Sequence, residues 1–385
     1  MKKKRNLKES LRCSVEIANL SPSSHNSQPW ELAFIENQEK KENLEKFLKL
    51  EENKNSSVSG YIIICLNQQR NLTALKSHRL EMLMSCGAFV ELLLMDLARQ
   101  GWQSEYCWVN EGVLNSSKEL FQELPVFWKP VIIFALSKGE VVNPPISLTD
   151  IENRTTNRGP YKTGNIGINS DNFKNLQSFA FPEKVKDCQL TLIEENKMIK
   201  KYASFVARYS DVDFTHPQAW KETYSFMHFS DSDIEKAEYG FGITHIFGPM
   251  SKFKKKFYQI FLAPGTMQIL KYFGYAKYIG YQFGNLVKQS SMLAYLNFKQ
   301  DKPDVLTQIA GGAIMLNFWL KVTQQNLTLH PISIILQHPQ IRIKLQQEMD
   351  LPTGRGFFFT RLGSPIVKFP PAYRRKNLNE KIYLL

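Results

Sequence analysis

Two long apolar stretches dominate the pattern of hydrophobic and polar residues along the chain. One starts near Gly87 and ends at Gly101, and the other starts near Gly312 and ends at Asn326. Both are apolar on almost every side, which predicts two buried helices. Glycine and asparagine readily adopt the left-handed conformation that ends a helix. Aligning Gly87 with Gly312 therefore aligns the starts and the ends of two similar helices.

Apolar strands follow the two helices in the same order. Residues 130–138 form a continuous apolar segment in the first half, and residues 356–363 stand in the equivalent place in the second half. Residues 61–66 predict another buried strand of the first half. Helix, helix end and next strand share nearly one spacing, which indicates an internal repeat. Two unrelated buried helices that look alike are the alternative.

The two halves differ in length. We place the boundary at Asn143-Pro144-Pro145, which gives a first half of residues 1–145 and a second half of residues 146–385. The surplus of the second half falls at 210–300, a segment rich in aromatic and lysine residues. Its pattern predicts two or three helices, broken at Pro264-Gly265 and at Gly280.

Composition narrows the class of protein. Hydrophobic residues make up 43% of the 385 residues, so the chain is globular and not disordered. The five cysteines are scattered without metal-ligand spacing, which argues against a disulfide framework and fits a reducing compartment. No apolar run of 18 residues and no signal-peptide pattern occur, so we expect a cytoplasmic protein, with a membrane-peripheral location as an alternative.

The net charge of +13 favours an anionic partner, such as a phosphate, a nucleic acid or an anionic lipid. A basic solvated surface without a partner is the simpler interpretation. No nucleic-acid-binding motif accompanies the charge, so we expect no specific nucleic-acid partner.

The most distinctive segment is residues 21–30, which read Ser-Pro-Ser-Ser-His-Asn-Ser-Gln-Pro-Trp. Serine, asparagine and proline favour turns, because their side chains bond to local backbone or fix φ. Such a turn points several N–H and hydroxyl donors in one direction, which suits a flat ligand rich in carbonyl and ring-nitrogen acceptors. A helix end, a turn and an edge strand over 31–36, without a ligand, is the alternative.

This segment resembles the flavin-contacting loop of nitroreductase-like flavoproteins, and its His-Asn pair is similar to that of the Acg-type branch. Two further motifs follow in the family's order. Residues 154–158, Arg-Thr-Thr-Asn-Arg, resemble the motif that holds the FMN phosphate. Residues 361–363, Arg-Leu-Gly, followed by Arg374 and Arg375, resemble the C-terminal strand and its phosphate-binding arginines. The resemblance spans nearly the whole chain, but residues 185–300 carry almost none of it.

The resemblance implies an α+β fold that is duplicated within one chain. Two central mixed or antiparallel sheets would be flanked by helices, and 210–300 would form a helical lid in the second half. Members of the family are usually homodimers that hold FMN between subunits. Here the flavin-ring loop lies in the first half and the phosphate motifs lie in the second. A fused pseudo-dimer, monomeric or itself paired as a homodimer, would thus build one complete site, and the mirror-image site should be inactive.

The resemblance also assigns site residues. Arginine forks suit phosphate oxygens, and Thr156 would add a hydroxyl donor to the same phosphate. The segment 329–331 would bring backbone to flavin N5. The full set of expected cofactor contacts is Pro22, Ser23, Ser24, Asn26, Gln28, Arg154, Thr156, Arg158, Leu329, His330, Pro331, Arg374 and Arg375.

A catalytic acid is not required for this chemistry. His25 and His330 are candidate proton donors, with a structural hydrogen-bonding role as the alternative for each. No metal is expected, because Asp211, Asp213 and His216 fit an ordinary polar loop.

The implied function is that of an FMN-dependent oxidoreductase with NAD(P)H as a possible electron donor. Hydride would pass through flavin N5 to or from a hydrophobic or carrier-tethered small molecule, and reduction and dehydrogenation are equally compatible with these residues. The apolar and basic segment 250–290 offers a contact with a membrane surface. Two alternatives stay open. One is an FMN-sequestering protein with little turnover, and the other is a basic membrane-surface or nucleic-acid binder with a decayed flavin site.

Overall fold

A computed structural model of the chain describes residues 5–48, 58–110, 121–162, 169–369, 371–372, 374–376 and 378–385. Its helices are α1 (Leu7–Ala18), α2 (Gln38–Leu48), α3 (His78–Arg99), α4 (Leu148–Asn153), α5 (Asp171–Lys174), α6 (Asn196–Tyr209), α7 (Asp211–Thr215), α8 (Pro217–Ser225), α9 (Asp231–Lys236), α10 (Thr244–Phe247), α11 (Lys252–Phe261), α12 (Pro264–Leu270), α13 (Tyr275–Lys288), α14 (Val305–Gln324), α15 (Ile334–Gln337) and α16 (Pro339–Met349). Its strands are β1 (Trp30–Ile35), β2 (Val58–Asn67), β3 (Trp102–Val109), β4 (Trp128–Lys138), β5 (Cys188–Ile193), β6 (Met227–His228), β7 (Phe241–Gly242), β8 (Met292–Phe298), β9 (Thr328–Pro331), β10 (Arg355–Gly363) and β11 (Tyr383–Leu384).

Each half of the chain forms one main sheet, and the two sheets have the same topology. The strand order is β1-β2-β4-β3 in the first half and β5-β8-β10-β9 in the second. All neighbours within these two sets are antiparallel. In both halves a long buried helix, α3 or α14, joins the second strand to the third. The predicted duplicated α+β fold is therefore confirmed.

The two long helices cross at their glycines. A Cβ atom added at Gly87 would lie 1.8 Å from the Ile309 carbonyl oxygen, and one added at Gly312 would lie 1.9 Å from the Met84 carbonyl oxygen. Ile309 and Met84 each stand three residues before the glycine of their own helix, so the contact is reciprocal. Two unrelated helices would not produce this pseudo-two-fold arrangement.

The residues that follow the two helices also correspond. Gly101 has a φ of 80° and Asn326 a φ of 56°, so both adopt the left-handed conformation predicted for them. The strands β3 and β9 begin directly afterwards. Helix, end and strand thus repeat as the sequence pattern indicates.

The C-terminal segment crosses from the second half to the first. Its strand β11 adds to the first sheet beside β1 in parallel, with Tyr383 opposite Ala33. The strand β1 is therefore not an edge strand. The proposed boundary at Asn143-Pro144-Pro145 lies between β4 and α4, in the connection between the two sheets.

The surplus of the second half forms seven helices, α7 to α13, and the short strands β6 and β7, all between α6 and β8. The predicted number of two or three helices is therefore wrong, because short turns divide the segment more often than its glycines and prolines indicate. The predicted break at Pro264 is confirmed, because this proline is the first residue of α12. The predicted break at Gly280 is wrong. Gly280 lies inside α13, where its missing side chain lets α13 approach the Ala207 carbonyl of α6, and the chain turns instead at Gly274, which has a φ of 76°.

One helix in the described part of the chain, Val305–Gln324, is long and apolar enough to cross a membrane. In this structure 89% of its apolar window is buried. It forms the centre of the main hydrophobic core together with α3, as expected for a helix of a folded domain.

Candidate active site

A cavity of about 980 Å³ lies between the two halves. Its wall combines residues 22–26 of the first half with residues 154–160, β9 and the inserted helices of the second. Many predicted cofactor contacts line it, namely Pro22, Ser23, Ser24, Asn26, Arg154, Thr156, Arg158, His330, Pro331 and Arg374, and so does His25. The structure therefore brings the separate sequence motifs to one place.

The serine-rich loop has an unusual backbone. His25, Asn26 and Gln28 have φ values of 51°, 50° and 47°, in the left-handed region that few residues other than glycine adopt. A hydrogen bond from the Gln28 N–H to Ser23 Oγ, 2.9 Å long, closes the loop on itself. The backbone of 23–28 is thus held in one strained conformation that turns its residues toward the cavity.

The loop is also fastened to α3 and α15. Ser24 Oγ donates to Glu81 Oε2 at 2.5 Å, and Gln337 Nε2 donates to the other oxygen of the same carboxylate at 2.8 Å. Glu81, Gln337 and Ser85 line the cavity, although the sequence analysis did not select them. The sequence feature that could have identified Glu81 and Ser85 is their spacing of four residues, which places two polar side chains on one face of a mostly apolar helix.

Asn26 and Gln28 hold the insertion against the loop. Asn26 Nδ2 donates to the Gly240 carbonyl and the Gly240 N–H donates to the Asn26 carbonyl, both at 2.9 Å. Gln28 Nε2 donates to the Glu238 carbonyl at 2.8 Å. Gln28 does not line the cavity, so the structure places it behind the loop.

Two guanidinium groups, that of the buried Arg154 and that of the half-buried Arg374, meet at the start of the loop. Arg154 Nη2 and Arg374 Nη2 donate to the same Leu20 carbonyl, at 3.2 and 3.4 Å. The Arg154 group also lies over the ring of Trp319, 4.7 Å from its centroid. Burial and, to a smaller extent, the neighbouring charge of Arg374 together lower the pKa of Arg154 to about 9.

Arg154 Nε and Nη1 are buried and have no hydrogen-bond partner in the described part of the chain. A buried cation without a partner is costly, and phosphate oxygens are the acceptors that guanidinium groups pair with best. The unsatisfied Arg154 nitrogens, next to a second arginine in the cavity wall, therefore fit the phosphate group of FMN.

The rest of the arginine motif packs against β9. Thr156 forms a bridge with Leu329, and the Asn157 N–H donates to the Leu329 carbonyl at 2.9 Å. Arg158 Nη1 donates to the His245 carbonyl at 3.1 Å, and burial lowers the pKa of Arg158 to about 10. Leu329 itself is fully buried and does not line the cavity.

The two neighbouring C-terminal arginines point to different places. Arg374 lines the cavity, whereas Arg375 forms a buried ion pair with Glu31, with Arg375 Nη1 2.8 Å from Glu31 Oε1. Arg375 Nη2 also donates to the Trp30 carbonyl at 3.1 Å. The structure thus uses Arg375 to attach the C-terminal segment to β1 and does not bring it into the cavity.

The tautomer of His330 is fixed by Arg361. Arginine can only donate, so the 2.9 Å contact between Arg361 Nε and His330 Nδ1 makes Nδ1 an acceptor and places the imidazole proton on Nε2. Arg361 is itself held by the Gly159 carbonyl at 2.7 Å and by the ring of Tyr161. Burial, followed by the charge of Arg361, holds the pKa of His330 well below its ordinary value.

His25 is also a neutral imidazole at neutral pH. Burial lowers the pKa of His25, an effect that the charge of Glu81 partly opposes. Its Nδ1 is buried without a hydrogen-bond partner among the described residues. Both predicted histidines can therefore offer hydrogen bonds to a ligand, but neither is charged and ready to give up a proton.

The counterpart of the serine-rich loop is occupied by a protein carboxylate. In the second half the equivalent segment lies between α5 and β5, and there the N–H groups of Phe179 and Ala180 donate to Glu91, at 2.6 and 2.9 Å. Ser178 Oγ and Asn317 Nδ2 donate to the same fully buried carboxylate. An inactive mirror-image site stays a prediction, and this contact supports it.

No metal site accompanies the cavity in the part of the chain that the structure describes, where no group of three or more potential ligands converges. His216 Nδ1 accepts from the Ala219 N–H at the start of α8, and Asp213 lies 3.4 Å from His338 Nε2. Asp211 is the first residue of α7, and Asp213 also lines the cavity.

No protein-family model matches this sequence. A protein of Serratia sp. named "Probable NAD(P)H nitroreductase PigM" is 27% identical over 368 residues, which cover 95% of this chain and 91% of that protein. The similarity therefore includes both halves and the insertion. This chain is thus similar to a protein named as a nitroreductase along nearly its whole length. The resemblance inferred from the flavin-loop and arginine motifs is confirmed.

Solved structures match parts of this chain, and two of them show the extent of the similarity. Nitroreductase A from Vibrio parahaemolyticus is 18% identical, with a TM-score of 0.29, over 39% of this chain and 68% of its own. A candidate nitroreductase from Exiguobacterium sibiricum, solved in complex with FMN, is 18% identical, with a TM-score of 0.29, over 38% of this chain and 84% of its own.

Proposed function

We propose that the protein is an FMN-dependent oxidoreductase that acts on a hydrophobic or carrier-tethered organic molecule, with NAD(P)H as electron donor. The observation that carries the proposal is the meeting of motifs from both halves at one cavity, where buried nitrogens of Arg154 lack partners. The name of the Serratia relative supports the same class of reaction.

The residues of this chain would bind and orient the cofactor, and FMN when bound would supply hydride transfer. Arg154, Arg158 and Arg374 would hold the phosphate, with Thr156 adding a hydroxyl donor. The loop residues Pro22, Ser23, Ser24 and Asn26 would contact the ring and ribityl chain. His330 would present its Nε2–H as a fixed donor beside Pro331. Gln28, Leu329 and Arg375 would support these contacts from behind.

The insertion would form the substrate side of the cavity. Its contribution to the wall is mostly apolar and aromatic, from Phe214, Trp220, Tyr258, Leu262, Tyr275 and Phe283. Such a wall suits a hydrophobic substrate. The hydrogen bonds of Asn26 and Gln28 to residues 238–240 would keep this lid over the flavin loop.

The same hydrogen bonds favour a second candidate, a protein that sequesters FMN under a closed lid with little turnover. We further propose that the chain is cytoplasmic, that a single chain suffices for one site, and that residues 250–290 contact a membrane surface. Halves of 1–145 and 146–385 are the domain division we adopt.

The test is the flavin content and the visible spectrum of the purified protein. We expect FMN at one per chain, and loss of its absorbance band when NADPH or NADH is added without oxygen. A ratio near two, FAD in place of FMN, or no flavin after incubation with FMN would contradict the proposed site. Bound FMN that neither nucleotide reduces would favour the sequestering function.

A further inference from the structure

The outer surface of helices α11 to α13 exposes large apolar side chains that nothing in the described chain covers. Phe253, Tyr272 and Phe273 are each 80% exposed or more. Soluble surfaces seldom present several fully exposed aromatic rings close together without using them for a contact. We call this surface, formed by residues 252–288, the aromatic face.

The helix α11 shows how the face is built. Phe253, Phe257 and Ile260 follow one another at a spacing of four and three residues, which puts them on one side of the helix, and all three are more than half exposed. Tyr258 and Phe261 extend this apolar side and pack toward the protein core. The apolar side of the helix is therefore broad, and one edge of it packs toward the core while the other edge is exposed.

All the charged side chains in the segment that forms the aromatic face are positive. No aspartate or glutamate occurs from Tyr239 to Gln300. The same helices carry Lys252, Lys254, Lys255, Lys256, Lys271, Lys277 and Lys288. The segment thus combines protruding aromatic rings with an excess of positive charge, which is complementary to an anionic surface.

The aromatic face is the outside of the cavity wall. Ring contacts run inward from Phe257 to Phe261 at 5.3 Å and from Phe261 to Tyr275 at 4.6 Å between centroids. Tyr275 and Tyr278 line the cavity. Apolar side chains are therefore continuous from the exposed face to the cavity.

We propose that the aromatic face docks the protein onto the surface of an anionic phospholipid bilayer, with the insertion wall of the cavity turned toward the lipid. Aromatic rings settle at the level of the lipid headgroups while lysines pair with anionic lipid, which is how interfacial helices bind. A bilayer fits better than a protein partner, because the rings protrude from the face and do not line a groove. Docking rests on the exposed surface, and its use for delivering an apolar substrate rests on the proposed function.

The test is sedimentation of the full chain with vesicles of phosphatidylcholine, with and without phosphatidylglycerol. We expect binding to the anionic vesicles about tenfold or more tighter than to the neutral ones, because each lysine near an anionic surface adds to the attraction. High salt should reduce the binding. A triple variant, Phe253→Ser, Tyr272→Ser and Phe273→Ser, should bind about tenfold or more weakly.

A matched triple variant, Val126→Ser, Val141→Ser and Ile366→Ser, also removes well-exposed apolar side chains but lies outside the face. It should bind vesicles as the unchanged protein does. Equal binding by both triple variants, no preference for anionic lipid, or no vesicle binding would overturn the proposal. Absence of vesicle binding together with salt-sensitive binding to an acidic carrier protein would replace the bilayer by a protein partner.

Sedimentation requires neither flavin nor turnover. Loss of docking with intact FMN binding would therefore contradict only the membrane proposal. Docking by a protein that binds no FMN would contradict only the proposed function.

Discussion

Residues around the cavity adopt states that are unfavourable without a ligand. Arg154 is buried with Nε and Nη1 unpaired, and His25, Asn26 and Gln28 hold left-handed backbone conformations. Left-handed conformations cost non-glycine residues on the order of 1–3 kcal/mol each. Strain and unpaired charge at one place are what a binding site for an anionic, acceptor-rich ligand would require.

Substituting Arg154 tests the phosphate contact directly. Arg154→Ala should weaken FMN binding about tenfold or more, since a hydrogen bond to a charged group contributes roughly 1.5–3 kcal/mol. Fluorescence titration of flavin-free protein measures the affinity. Lys254→Ala removes an exposed cation on α11 and should leave it unchanged. Equal losses in both variants would mean that the phosphate lies elsewhere.

The fixed tautomer of His330 predicts a pH dependence of stability. Its folded-state pKa lies well below the ordinary 6.5, so below that pH the unfolded chain binds a proton that the folded chain excludes. Stability is therefore lost as the pH falls, by up to about 1.4 kcal/mol per pH unit for this group. In flavin-free protein, His330→Gln should flatten the decline of the denaturation midpoint between about pH 7 and pH 5.5.

His78 provides a comparison of opposite sign. Burial lowers its pKa, but the hydrogen bond and charge of Glu222 with the charge of Glu81 outweigh burial and raise the pKa overall. His78 thus adds stability at low pH that is lost as the pH rises, and His78→Gln should steepen the decline on acidification. Unchanged slopes in both variants would refute the assigned protonation states.

At this scale the sequence predicts which residues gather but not where their side chains point. The serine-rich loop and Arg154 could be selected because their motifs resemble those of nitroreductase-like flavoproteins. Arg374 and Arg375 are identical in type and adjacent, yet one faces the cavity and the other pairs with Glu31. The path of the C-terminal segment determines which of the two arginines enters the cavity, and the arginine pair in the sequence gives no information about that path.

At the scale of elements, the strongest prediction is the pair of helices α3 and α14. The two helices can be aligned because each has a glycine at the same position and a glycine or asparagine at its end. Close helix packing requires a small residue, and a left-handed helix end favours glycine or asparagine. Gly280 shows the limit of this reasoning. A glycine inside a helix can serve a break or a tight contact, and only the neighbouring helix α6 decides between them.

The helix crossing predicts the effect of adding one methyl group. Gly87→Ala would put a Cβ atom 1.8 Å from the Ile309 carbonyl oxygen, so α3 and α14 must separate. We expect a loss of about 1–3 kcal/mol or more in the free energy of unfolding, measured by denaturant titration. Gly265→Ala is the control, because its Cβ would meet nothing within 4 Å.

Gly312 belongs to the same crossing. Adding Gly312→Ala to Gly87→Ala should therefore lower the free energy of unfolding by less than the sum of the losses in the two single variants. Equal stabilities of the Gly87→Ala and Gly265→Ala variants would contradict the close crossing.

At the scale of the whole molecule, duplication could be predicted and the crossing of the chain could not. The repeated elements are long helices and strands, and each has a clear pattern of apolar residues. The strand β11 has two residues, Tyr383–Leu384, and so few residues carry no periodicity. Residues 238–240 bind the serine-rich loop through contacts between residues more than 200 positions apart in sequence, which the local pattern of residues does not reveal.

The carboxylate of Glu91 is buried at the place in the second half that corresponds to the serine-rich loop. This arrangement affects how the protein can evolve. In a symmetric dimer of identical chains, every substitution appears at both equivalent sites at once. When both halves belong to one chain, each position is inherited separately. One of the two equivalent sites can then be filled by an internal contact that stabilises the fold. The other site can acquire a longer insertion and adapt to a new ligand, and neither change alters the equivalent position in the other half.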